Sequence, residues 1–137
     1  KILSKLSPHL DVLNLVKARL IQKKQFTLAD VITEDRFFLI RENPKRFSLG
    51  LNLLFLLKSV LPDNSPDLAF WHHLSRVLKK GSVNIEFFLK LLGYDPFLAD
   101  CEVCREKDIR FFNLKNQSFF CLRCGLKFKE KEVIFLP

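Results

Sequence analysis

Methionine is absent from the 137 residues, even at position 1, and there is a single tryptophan and a single tyrosine. Lys1 is not an initiator, so the chain reads as one whose true beginning lies upstream. Four glycines, six prolines and no internal repeat exclude collagen, coiled-coil and mucin-like chains. Residues 1–20 are charged throughout and lack the apolar centre of a secretory signal. The longest apolar run, 49–61, is about two-thirds of a membrane span, contains Lys58 and stops at Pro62. It predicts a buried helix rather than an anchor, and hence a soluble, cytoplasmic protein. No phosphate-binding, dinucleotide, nucleophile-elbow or H-E-x-x-H motif occurs. Acidic residues are scattered singly apart from Glu34-Asp35, where a helix is expected to begin. A binding module is expected, not an enzyme.

What the chain does have is enough apolar content for a core, 48% against 28% charged. The fifteen phenylalanines are expected to lie mostly inside. The formal charge of +8 favours an anionic partner. Residues 1–46 hold ten Lys/Arg and five Asp/Glu, 47–100 hold five of each, and 101–137 hold eight and five. The excess therefore lies at the two ends. One Zn²⁺ bound by four thiolates would lower the total to +6.

Periodicity divides the chain into three. In residues 12–22, Asn14, Val16, Ala18 and Leu20 share a strand face while Lys17 and Arg19 point the other way. A polar turn, 22–25, leads to a second strand over 26–33. Two strands are not a stable sheet alone. Pro44 then precedes a helix over 46–61 that Pro62 ends. Ser65-Pro66 predicts an N-cap and first helical position for a second helix carrying Leu68, Trp71, Leu74, Val77 and Leu78, with Gly81 as C-cap. Ser82 or Asn84 starts a third, with Ile85, Phe88, Leu89 and Leu92 on one face, closed by Gly93 and Pro96. In the last third, 109–114 and 118–120 look like hairpin arms joined through 115–117. Residues 127–136 predict a final strand with Lys127, Lys129 and Lys131 alternating along it. The expected class is α+β: an OB-type β segment over 1–45, trimmed or reduced, a small helical bundle over 46–100, and a Cys₄ zinc ribbon over 101–137 packed on the bundle.

All four cysteines fall in Cys101-x-x-Cys104 and Cys121-x-x-Cys124, sixteen residues apart. That is zinc-ribbon spacing, in which two tight turns aim four thiolates at one structural Zn²⁺ per chain. A closed S₄ site has no open position for water, so its role is in folding. Two disulfides would need an oxidising compartment, and a redox pair would be a single C-x-x-C beside a βαβ pattern. His72 and His73 are adjacent on one helix, so one must face solvent; neither they nor His9 is needed as a ligand.

The stretch Ile85-Glu86-Phe87-Phe88-Leu89-Lys90-Leu91-Leu92-Gly93-Tyr94-Asp95-Pro96, followed by Leu98 and Cys101-Glu102-Val103-Cys104, resembles bacterial RecO, a recombination mediator of DNA repair. In that family a helix ending in L-L-G-Y-x-P leads into one C-x-x-C knuckle, and a second follows a hairpin. Residues 6–33 are similar to the end of the family's OB barrel. The chain departs from the family at Arg105 and at Gln117-Ser118, where glycine is usual. The resemblance implies a cytoplasmic, nucleoid-associated bacterial protein that binds single- and double-stranded DNA, anneals strands and loads recombinase on single-stranded DNA. Its implied partners are RecR and the acidic C-terminal tail of single-strand-binding protein.

Lys17, Arg19, Lys23 and Lys24 are the cations placed to meet phosphates, and Phe26 is the candidate stacking platform. For the acidic tail, groove walls near Leu54, Leu57 and Leu74 with Lys58, Arg76, Lys79 and Lys80 are the candidates, although cations also suit a helix C-terminus. A second class stays open, a zinc-ribbon module that binds RNA or an acidic protein in transcription or ribosome assembly.

Overall fold

The structure, a computed structural model, describes residues 5–22, 24–62 and 67–136, and for Lys131 the backbone alone. Lys23, Ser65 and Pro66 lie outside the described residues. The fold is α+β, with two small antiparallel sheets and five α-helices among those residues. The chain divides into two compact units, Lys1–Leu51 with Asp67–Ser82, and Asn52–Pro66 with Val83–Pro137. These units cut across the three segments expected from periodicity.

In the first unit, β1 (Leu15–Gln22) and β2 (Phe26–Asp35) pair as an antiparallel hairpin. An OB barrel takes five strands; this sheet has two. β1 starts later than residue 12, because Leu13 takes a left-handed φ of 61° and is buried. Glu34-Asp35 does not begin a helix. The β-branched run Val31, Ile32, Thr33 carries the strand through to Asp35. Asp35 Oδ1 then accepts the Phe37 N–H at 2.7 Å, and Phe37, at φ 46°, leads into α1 (Phe38–Arg41).

Asn43 Oδ1 accepts the N–H groups of Lys45 and Arg46 at the start of α2 (Pro44–Val60), so Pro44 opens the helix rather than preceding it. Helix α3 (Leu68–Lys80) is capped by Asp67, whose Oδ1 accepts from Phe70 N at 2.9 Å; this cap lies beyond the one expected at Ser65. Gly81 ends α3 at φ 65° as expected. Leu13, Val31, Phe37, Ile40, Leu74 and Leu78 are buried. Packing is close at Gly50, where a Cβ would lie 3.3 Å from both Ile40 and Leu13 side-chain carbons.

In the second unit, Asn84 caps α4 (Ile85–Leu91) by accepting from Phe87 N at 2.9 Å. Ile85, Phe88 and Leu89 are its buried face. Gly93, at φ 92°, turns the chain, and Tyr94 N donates back to Leu89 O at 2.8 Å. β3 (Ile109–Asn113) lies between β4 (Ser118–Cys121) and β5 (Val133–Phe135). The buried Asn113 shapes the β3–β4 turn, its Oδ1 accepting from Lys115 N and Asn116 N, both at 2.9 Å.

The expected strand over 127–136 shrinks to three residues. α5 (Leu122–Gly125) and a 3₁₀ turn at Glu130–Glu132 occupy the chain before it, and Phe128 packs on Phe120 at 4.7 Å between ring centres. Lys127 and Lys129 therefore precede the strand instead of alternating along it.

Six phenylalanines are buried, namely Phe37, Phe88, Phe111, Phe112, Phe119 and Phe120, and six are exposed, Phe26, Phe38, Phe55, Phe87, Phe97 and Phe135. The expectation that most are core is thus corrected. Among the described residues no helix is long and apolar enough to cross a membrane.

Candidate functional site

The four cysteines meet at one point. Cys101 and Cys104 sit on a tight turn before β3, closed by Arg105 N donating to Cys101 O at 2.9 Å. Cys121 ends β4 and Cys124 lies in α5, so the β3–β4 hairpin carries the second turn back to the first. Glu102 N donates to Phe119 O at 2.9 Å and ties the two together. All four sulfurs lie within 4.8 Å of one another, with Cys104 3.6 Å from Cys121 and 3.7 Å from Cys124. A tetrahedral centre with metal–sulfur bonds of about 2.3 Å needs sulfurs about 3.8 Å apart. The geometry fits a metal ion held by four thiolates, and the four thiols are free of disulfides.

Around them Phe111 and Phe120 are buried, with Ile109, Phe128 and Val133 packed against the cluster. Burial raises the Cys101 thiol, but hydrogen bonds from the Cys121, Cys104 and Val103 backbones and the Cys104 side chain outweigh it and bring it down to about 6. Burial, reinforced by the Cys104, Cys121 and Cys101 side chains, pushes Cys124 up to about 12. Arg123, a residue that spacing alone did not single out, hydrogen-bonds to Cys104, and the thiolates raise its pKa. The signal was its place inside the second C-x-x-C.

Arg105 and Gln117, at φ 60° and 51°, hold left-handed conformations that favour glycine. These are two of the positions where the chain departs from the resembling family. The Tyr94 hydroxyl donates to Gln117 Oε1.

The candidate phosphate contacts are split. Lys17, Arg19 and Lys24 are exposed. Lys17 pairs with Ile32 and Arg19 with Asp30, whereas Leu20 pairs with Leu28 and Gln22 with Phe26. The register skips Ala29, a bulge in β2. Directly paired residues share a face, so Lys17 and Arg19 lie on one face and Phe26 and Leu20 on the other. Phe26 is 69% and Leu20 57% exposed.

Of the candidate groove walls, Leu57 and Leu74 are buried at 6% and 3% and belong to the core. Lys58, Arg76, Lys79 and Lys80 are exposed. Arg76, Lys79 and Lys80 belong to the first unit and Lys58 to the second, and Lys79 makes a 3.9 Å ion pair with Asp35. His72 is exposed and His73 half-buried.

By unit, charge is far from even. The first holds thirteen Lys/Arg and six Asp/Glu, an excess of seven, and the second holds ten and nine. Compared with known proteins, the chain matches no family model, no curated protein and no solved structure.

Proposed function

We propose that this chain is the later part of a RecO-type recombination mediator, which binds single-stranded DNA, promotes annealing and helps to load recombinase. The observation that carries this reading is the charge partition. The first unit has an excess of seven cations while the second is near neutral. Its hairpin sets Lys17 and Arg19 on one face and the exposed ring of Phe26, with Leu20, on the other. Backbone phosphates and unstacked bases ask for those two kinds of contact. β1 and β2 are read as the end of an OB-type barrel.

The metal is read as one structural Zn²⁺ on Cys101, Cys104, Cys121 and Cys124, since four thiolates in a closed tetrahedron suit zinc. Zinc would hold the ribbon together and take no part in chemistry. RecR and the acidic tail of single-strand-binding protein are the partners this reading brings. The test is annealing of dye-labelled complementary oligonucleotides by zinc-loaded protein, expected to run well above the spontaneous rate. An unchanged rate removes the proposal.

A second reading, an interaction module, draws on the exposed apolar residues Val103, Leu122 and Leu126 beside the knuckles. Unchanged annealing together with binding of a protein partner through these residues would favour it.

A further inference from the structure

Three elements of the first unit converge at the C-cap of α3. A Cβ on Gly81 would lie 3.1 Å from Leu39 Cβ in α1 and 3.5 Å from Arg46 Nη1 in α2. Lys79 and Lys80 form the last turn of α3, and Lys79 reaches Asp35 at the end of β2. Arg36, Lys45, Arg46, Lys79 and Lys80, all exposed, are thus gathered here against the carboxylates of Glu34, Asp35 and Glu42. The excess is two charges. The negative end of α3, about half a charge, offsets only part of it. No carboxylate among the described residues pairs with Lys45, Arg46 or Lys80.

The same junction displays a ring. Phe38, the first residue of α1, is 67% exposed and its neighbour Leu39 47%. Asp35 turns the chain at Phe37, whose own ring is buried, and this arrangement leaves Phe38 outward. An exposed aromatic set among uncompensated cations is the composition of a single-strand contact, in which bases stack and phosphates pair. Duplex DNA, with its bases stacked inside, offers the ring nothing.

We propose that the α1–α2–α3 junction is a contact for single-stranded nucleic acid, with Phe38 stacking on a base and Arg46, Lys45 and Lys80 meeting phosphates. This contact is separate from the hairpin and rests on the DNA-binding reading above. It serves to lengthen the strand footprint on the first unit.

The test uses the zinc-loaded full chain with fluorescent oligothymidylate and oligouridylate, titrated by anisotropy over a range of salt. Phe38→Ala is expected to weaken binding at least about fivefold with no change in salt slope, and Phe38→Trp to restore it. Lys45→Gln with Lys80→Gln, both solvent-exposed, is expected to flatten the slope by about 1.4, or about 0.7 per lost phosphate contact. Adding Arg46→Gln should flatten it further if the melting temperature holds. Wild-type protein that binds oligothymidylate while both variants match it overturns this contact and leaves the DNA reading standing. Binding of oligouridylate alone, with the variants weakened, supports the contact and overturns the DNA reading. Wild-type protein that binds neither oligonucleotide overturns both.

Discussion

Gly125 shows how little room the cysteine ribbon leaves. A Cβ there would lie 2.1 Å from Phe111 Cδ2, against a ring already enclosed by the cysteine cluster. Gly125→Ala is therefore expected to destabilise the ribbon by on the order of 3 kcal/mol, read from chemical denaturation followed by circular dichroism. A loss near zero would mean that the ring has space to move. Arg105 predicts the opposite sign. Its φ of 60° costs a non-glycine residue about 1–2 kcal/mol, and glycine gives back about 0.5–1 of that as chain entropy. Arg105→Gly should raise stability by about 0.5–1 kcal/mol in the same experiment. Arg105 and Gln117 stand at positions where the resembling family usually has glycine. That a charged and an amide side chain occupy them could be seen, but not that they adopt the glycine conformation.

Among elements, the ribbon depends on its ligands and on pH. A thiol with its proton cannot bind metal, and unfolded thiols titrate at about 8.5. A bound metal would depress all four, so the stability it supplied would be present at high pH and lost as the pH falls. Without metal the surroundings pull the thiols in opposite directions, Cys101 down to about 6 and Cys124 up to about 12, so the acid loss follows from competition between protons and metal for all four sulfurs. Metal release, followed with a chelating dye, should increase as the pH falls from neutral and bring loss of ribbon structure. Cys121→Ser should show both at pH 7.5. Metal retained by that variant would remove Cys121 from the ligand set.

The hairpin gives an independent prediction. Because Lys17 and Arg19 face away from Phe26, neutralising Lys17, Arg19, Lys23 and Lys24 to Gln should flatten the salt slope of DNA binding, and Phe26→Ala should not. Combining them should be additive within about 0.5 kcal/mol. A large coupling would put both sets on one strand contact.

Capped and glycine-ended helices were legible because short-range rules decide them, as at Asn84 and Gly81. The cysteine pairs were legible because a hairpin of that length returns one turn to the other. The final strand was not. Alternating lysines mimic a strand, but the ring of Phe128 is drawn to Phe120 and the backbone turns to allow it. Glu34-Asp35 failed for a similar reason, the β-branched residues before it extending the ladder. Leu57 and Leu74 looked like groove walls because periodicity marks an apolar face without saying how deeply it is covered. The split of Lys17 and Arg19 from Phe26 across the hairpin needed the Gln22–Phe26 register at the turn, which the residue pattern does not announce.

Taken whole, the molecule confines its charge to one unit. Thirteen cations against six carboxylates belong to the first unit, and the second unit's ten and nine nearly cancel. Bound zinc would take two more from the second and make it slightly acidic. If the first unit meets DNA through its phosphates, affinity must be nearly blind to sequence and steep in salt, because each contact releases counterions. The direct measurement is the affinity of zinc-loaded protein for oligothymidylate as potassium chloride is raised. Four or more phosphate contacts require a log–log slope of about −3 or steeper. A slope near zero, or no binding at low salt, would contradict DNA as the partner of this surface.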